Sequence, residues 1–254
     1  MNIYKRILML VGVSLLMTNL YAQESSDNDV EELVIKGNVL QADQVAALKT
    51  PVPVIDVPQT VSIFTDEDIK RQGFREIGDL IRYTPGVNTS QGEGHRDAVV
   101  FRGVRSTADF FQDGLRDDVQ YYRSLYNVEQ VEILRGPNAL LFGRGGTGGI
   151  INRVSKKAMI GEDFRSIDLG TDTFGSFDLA ADVNIAAGPN SALRLNIHTD
   201  SLANHRDFYD GERFGINPTL RVKLDDKTTI DLSYEYADHE RFIDRGIPLS
   251  LIHI

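Results

Sequence analysis

The 254-residue chain contains no cysteine, so its fold cannot depend on disulfides or on thiolate metal sites, even in an oxidising compartment. No run of 18 consecutive apolar residues occurs after the first 22 residues. An exported protein of this kind is therefore either soluble or crosses a membrane as strands. Basic residues are in short supply, 27 Lys and Arg against 37 Asp and Glu, a net charge of −10. A nucleic-acid surface needs clustered Lys and Arg, so nucleic acid is not an expected partner. Catalytic patterns are missing too. There is no Gly-x-Ser-x-Gly elbow and no supported Ser/His/Asp set, and His95, His198, His205, His239 and His253 have no ligand-like spacing. Nothing in the chain asks for an enzyme or a bound metal.

What is present begins with a secretory signal. Lys5-Arg6 precede an apolar run from Ile7 to Met17 and then polar Thr18-Asn19 and small Ala22, which predicts cleavage near Ala22-Gln23. Removing residues 1–22 leaves 25 basic residues against 37 acidic ones, a net of −12. Gln23 to Glu32 has the acidic, polar composition of a mobile N-terminus. Glu32 to Gly37 interrupts it with a short β-prone run, which suits either a first strand or a segment that adds to a partner's sheet edge. Ala42 to Val57, with Pro51, Pro53 and then Pro58, is expected to run extended.

An α+β domain follows. Thr60 to Phe64 alternates as a strand, Thr65 is an N-cap for a helix to about Gln72, and Ile77, Leu80 and Ile81 mark a second helix stopped at Tyr83-Thr84-Pro85-Gly86. Val87 to Asp97 reads as a loop, Ala98 to Arg102 as a strand, and Phe110 to Gly114 as a strand entering an Asp-Gly turn. Tyr121, Tyr122 and Tyr126 lie on a charged loop and invite a binding role. Val131 to Leu134 and Ile150 to Val154 then flank a turn at Arg135-Gly136-Pro137 and five glycines between Gly143 and Gly149. Such density marks positive φ or a close approach of another surface. Gly143, Gly145 and Gly148 fit G-x-G-x-x-G, but β-branched Ile150-Ile151 follow where a dinucleotide site needs a helix.

After Lys157 the texture becomes long alternation, predicting five strands: Arg165 to Leu169, Phe177 to Ile185, Leu193 to Ile197, Phe214 to Leu224 and Ile230 to Tyr236. Tight turns at Gly188-Pro189-Asn190 and Asp225-Asp226-Lys227 contrast with the longer Leu202 to Glu212. Strands of about 10 residues with short turns on one side and longer loops on the other favour a transmembrane β-barrel over a soluble sandwich.

Together these features resemble the TonB-dependent outer-membrane receptors, most closely the siderophore receptors. The matching stretches are Leu33 to Lys36, Asp56 to Phe64, Leu80 to Val87 (LIRYTPGV), Phe101-Arg102-Gly103, Asp113-Gly114 and Val131 to Val154 (VEILRGPNALLFGRGGTGGIINRV). The resemblance implies a signal peptide at 1–22, a mobile segment at 23–50 with its coupling box at 32–37 (Glu32, Leu33, Val34, Ile35, Lys36), a plug domain at 51–158 and a barrel portion at 159–254. The expected fold class is thus an α+β plug followed by about five antiparallel strands of an incomplete transmembrane β-barrel.

The implied cargo is iron carried as a ferric siderophore chelate, with no cofactor bound directly. The implied partners are that chelate, a TonB-type energy-coupling protein of the inner membrane, and outer-membrane lipid. Apical positions implied to meet the ligand are Gln91, His95, Arg96, Arg105, Ser106, Tyr121 and Tyr122. Arg102 and Arg135, with Gly136 and Pro137, are implied to contact the barrel, and the glycine cluster to nestle against its wall. Five strands cannot close, so a receptor ending at Ile254 reads as truncated, frameshifted or incompletely sequenced. The alternative is a periplasmic plug-like binding module that transports nothing, or a non-functional product.

Overall fold

The computed structural model describes residues 45–48, 54–90, 95–107, 109–137, 142–143 and 148–243. In chain order the strands are β1 (Thr60–Thr65), β2 (Val87–Thr89), β3 (Val99–Phe101), β4 (Val104–Ser106), β5 (Phe110–Gln112), β6 (Leu115–Arg116), β7 (Val128–Arg135), β8 (Gly149–Ser155), β9 (Phe164–Thr171), β10 (Phe177–Gly188), β11 (Ser191–Ala203), β12 (Asp210–Lys223), β13 (Thr229–Ser233) and β14 (Tyr236–Arg241). Two helices, α1 (Asp66–Gln72) and α2 (Ile77–Arg82), lie between β1 and β2.

Helix α1 starts where its first residues dictate. Thr65 Oγ1 accepts from the Asp68 N–H at 3.2 Å while Asp68 Oδ2 accepts from the Thr65 N–H at 3.3 Å, a reciprocal box that satisfies two otherwise orphaned amides. Gly73 at φ 66° ends it in the left-handed conformation.

The α+β domain is built on a mixed sheet ordered β1-β7-β8-β5-β6, antiparallel except for the parallel β5–β8 pair. Alternation along β7 gives this sheet two different faces. Val131 and Ile133 point into a cluster with Ile69, Ile77, Leu80, Ile81, Val99, Phe101, Phe110 and Ile151, which both helices and β3 cover. Leu134 points the other way, to Phe111, Phe142, Ile150, Val45 and Ala47. Truncating a buried Phe or Leu in either cluster costs about 3–5 kcal/mol, so each face is a committed core.

The long sheet is ordered β9-β10-β11-β12-β13, with β14 also on β12. Its inward residues Asp182, Asn184, Arg194, Asn196, His198, Asp200, Arg213, Asn217 and Thr219 are buried, while Ile167, Leu169, Phe177, Ile185, Leu193, Ile230 and Leu232 are exposed. This inverts the arrangement of a soluble sheet, which buries its apolar face.

Several expectations need correction. Residues 42–57 do not run extended where they are described: Ala46–Leu48 and Val54–Asp56 are 3-10 turns. Proline acts against the residue before it and against helix interiors, which leaves room for a single turn between Pro53 and Pro58, and Ala46 and Ala47 are held by an acceptor far along the chain. Val87 to Thr89, read as loop, is a strand paired with β3, too short to display a period. The loop within Leu202 to Glu212 shrinks to six residues because β11 and β12 extend into it.

The last predicted strand is interrupted. Its register continues, Thr219 opposite Ser233 and Ile216 opposite Tyr236, but Pro218 has no N–H to donate. Tyr234 N–H still donates to Pro218 O at 3.1 Å, and Asn217 Nδ2 supplies the missing donor to Tyr234 O at 2.8 Å. Finally, the close neighbours of Gly148 and Gly149 among the described residues lie in β3, β4 and β7. A Cβ on either would come within 2.6 Å of Phe101, inside the α+β domain itself.

Candidate functional site

The end of the α+β domain nearest the β11–β12 loop collects most of the residues singled out for binding. A buried guanidinium organises it. Arg123, 1% exposed, donates through Nε to Asp117 Oδ2 (2.9 Å) and through Nη2 to the carbonyls of Asp117 (3.0 Å) and Val119 (2.8 Å). Its backbone N–H reaches Asp97 Oδ2 at 2.9 Å, and its plane lies 4.0 Å from the Phe110 ring centroid. Arg153 Nη2 adds bonds to Asp117 Oδ2 (3.0 Å), Gln112 Oε1 (3.0 Å) and the Tyr121 hydroxyl (2.7 Å). A loop without regular structure is thereby fixed by two cations from within.

The two carboxylates respond in opposite directions. Burial pushes Asp97 up to about 6, because Arg123 only partly offsets its loss of solvent. Burial acts the same way on Asp117, but Arg123 and Arg153 outweigh it and hold that group below the usual carboxylate range. Burial likewise raises the phenols of Tyr121 and Tyr122, with Arg153 opposing it at Tyr121 and Arg241 at Tyr122.

Arg96, Ser90 and Tyr122 line a cleft of about 190 Å³ with Glu76, Arg82 and Asp97. Arg96 is hydrogen-bonded to Gln120 Oε1, which steadies its guanidinium at the cleft, and Arg105 Nε donates to Ser90 Oγ at 3.1 Å. Tyr122 stacks under the Arg241 guanidinium of β14 at 3.9 Å. His95 and Ser106 are half-buried, Ser106 opposite Val99 in the β3–β4 pair. Tyr121 is not a free apical group: its hydroxyl donates to Asp117 Oδ2 at 3.0 Å and belongs to the internal network. Gln91 and the coupling box Glu32 to Lys36 lie outside the described residues, as does the signal peptide.

The α+β domain meets the long sheet through ion pairs that sequence reading missed. Lys156, 3% exposed, bridges Asp66 of α1 (3.1 Å) and Asp182 of β10 (3.2 Å), and Asp182 also receives a fork from Arg194 at 2.8 and 2.7 Å. Glu76 accepts from Arg213 (3.2 Å) and Arg241 (2.8 Å), and Arg75 donates to Ser176 Oγ (2.7 Å) and pairs with Asp178. Tyr126 stacks on His198 at 5.3 Å in the space left by Gly215, where a Cβ would lie 2.7 Å from the ring. Charges at inward strand positions were the available signal, since alternation identifies them without naming their partners.

Arg102 and Arg135 take no part in these pairs. Arg135 donates to Pro85 O (2.7 Å) and Ser62 Oγ (2.8 Å), both in its own domain, and burial together with the Arg102 charge lowers its pKa. Gly136 N–H donates to Gly148 O at 2.9 Å across the β7–β8 connection, and Pro137 beside it is exposed.

Comparison with known proteins identifies the architecture. Residues 53–150 match the TonB-dependent Receptor Plug Domain. The chain is 34% identical over 213 residues to the probable TonB-dependent receptor BfrD of Bordetella pertussis, covering 82% of this chain and 28% of that protein. It is 30% identical over 241 residues to the catecholate siderophore receptor Fiu of Escherichia coli K12, covering 89% of this chain and 31% of Fiu. The crystal structure of the ferric-catecholate import receptor Fiu in its open form superposes with a TM-score of 0.74 at 28% identity, covering 81% of this chain and 31% of that one. The chain thus spans about a third of the length of these receptors, at their N-terminal end. It carries the plug domain of the TonB-dependent receptors and the antiparallel strands that follow it, and so matches the N-terminal portion of such a receptor.

Proposed function

We propose that this chain serves as the plug and first wall strands of an outer-membrane receptor that binds a ferric siderophore and admits it to the periplasm. The observation that carries the proposal is the inverted long sheet. Its polar face lies against the plug and its apolar face is exposed, the arrangement that suits strands between lipid and a plugged lumen. The matched family consists of receptors, not enzymes, and the relative Fiu is named for a catecholate siderophore. Arg96 and Tyr122 at the cleft, with Arg105 bonded to Ser90 of its lining, have the charge and aromatic surface that an anionic iron chelate requires. The coupling box at Glu32 to Lys36 would engage an energy-coupling protein of the inner membrane, and export would follow the signal peptide at 1–22.

The test is iron uptake by a receptor-deficient strain that expresses the open reading frame encoding this chain. Cells are supplied with a panel of ferric catecholates and hydroxamates. Uptake of at least one chelate, lost on Ile35→Pro in the coupling box, is the expected result. Uptake of none, or uptake indifferent to that substitution, would refute the proposal.

A further inference from the structure

Glu132 is a charged side chain at the centre of the plug, with no solvent exposure and no cation against it among the described residues. Four donors converge on its two oxygens. Gln130 Nε2 (2.7 Å) and Asn152 Nδ2 (2.9 Å) come from β7 and β8. The other two are the backbone N–H groups of Ala46 (2.6 Å) and Ala47 (2.9 Å), 86 and 85 residues earlier in the chain. These belong to a three-residue 3-10 turn that pairs with no strand. Val45 and Ala47 press into the sheet beside it, against Phe111, Leu134, Phe142 and Ile150. The turn follows the coupling box by only about ten residues.

We infer that Glu132 is a release clamp: its carboxylate straps residues 45–48 onto the sheet, so that a pull on the leader detaches this strap before it disturbs the rest of the plug. The inference rests on the proposed function only for the source of the pull. Its mechanical content comes from the geometry. Among the described residues the strap is attached by two hydrogen bonds and the side chains of Val45 and Ala47, whereas β7 is laddered to β1 and β8 on both sides. Load arriving from the N-terminal side therefore meets the weak attachment first and ends on an interior strand. Charge-assisted bonds to a buried carboxylate are worth more than neutral ones, which makes the clamp firm at rest. An amide in its place would turn an N–H toward at least one of the four donors.

Because the native chain has no cysteine, single thiols report local opening cleanly. The full chain in detergent is prepared with Val45→Cys in the strap or Val99→Cys in the opposite core, and thiol labelling rates are measured. With Glu132 intact, Cys at 45 should label at least tenfold faster than Cys at 99, because the strap opens by itself. Adding Glu132→Gln should speed labelling at 45 by a further tenfold or more and leave 99 unchanged, with Glu132→Asp falling between. Equal rates at 45 and 99 in the chain with Glu132 intact would overturn the clamp, whatever the variants do. So would a Glu132→Gln effect that is absent at 45 or equally large at 99, since the residue would then hold the whole core. No siderophore or coupling protein enters the assay, so its failure and a failure of uptake are separate results.

Discussion

Asp97 and Asp117 flank the same guanidinium yet titrate in opposite directions, because burial prevails at Asp97 while Arg123 and Arg153 together outweigh it at Asp117. Asp97 is raised to about 6, so the stability linked to it is fully present below the ordinary carboxylate value and is lost as pH climbs through about 6. The cost above that point is on the order of 3 kcal/mol. Asp97→Asn keeps an acceptor for the Arg123 N–H and removes the titration. In urea unfolding of the full chain, the native protein is expected to lose stability between pH 4 and pH 6, and the variant to lack that fall. Asp117, held low by Arg123 and Arg153 against its burial, acts with the opposite sign, its contribution vanishing as pH drops below the ordinary range. At Gly148 the issue is space. An added Cβ would meet Phe101 Cβ at 2.6 Å and its carbonyl at 3.1 Å, and neither can swing aside. Gly148→Ala should destabilise the plug by about 1–3 kcal/mol, read as a lower urea midpoint with unchanged slope.

At the level of elements, most of the strands were legible, because half-buried strands longer than about five residues display their period. All of β9 to β12 appeared in the alternation, and α1 in its capping residues. The split of the final strand was not, because it needs the knowledge that Tyr234 faces Pro218. Asn217 repairs that gap with a side-chain donor, so Asn217→Ala should leave the Tyr234 carbonyl without its bond from β12. The expected cost is about 1–3 kcal/mol. Amide exchange should then accelerate in β14 and the adjacent part of β13 while β10 and β11 keep their protection.

On the scale of the molecule, charges join the plug to the long sheet among the described residues. Asp182 is the hub, since Lys156 and Arg194 both end on it and Lys156 continues to Asp66. Removing one partner of a buried cluster strands the others, at about 3–5 kcal/mol. Asp182→Asn should therefore separate one cooperative urea transition into two, the plug losing its near-ultraviolet signal before the sheet loses its far-ultraviolet one. A single unshifted transition would mean that Lys156 finds enough compensation at Asp66. Arg96 and Arg105, proposed to meet the ligand, would be little affected, because they are held by Gln120 and Ser90 within the plug.

By itself, the sequence determined the local structure and the class of the molecule. Spacing of apolar residues, caps and turn pairs depend on near neighbours, and they were enough to separate an α+β domain from long alternating strands and to exclude disulfides. Tertiary structure alone decided the partners. Lys156 reaching Asp182, Glu76 reaching Arg213 and Arg241, and Glu132 holding Ala46 and Ala47 all join residues 26 to 165 positions apart. No periodicity records such a distance. It also reassigned Gly148 and Gly149 of the β7–β8 connection, whose close neighbour among the described residues is Phe101 of the plug itself. A short-range pattern can reveal that a close approach exists, but only the folded chain supplies the surface that approaches.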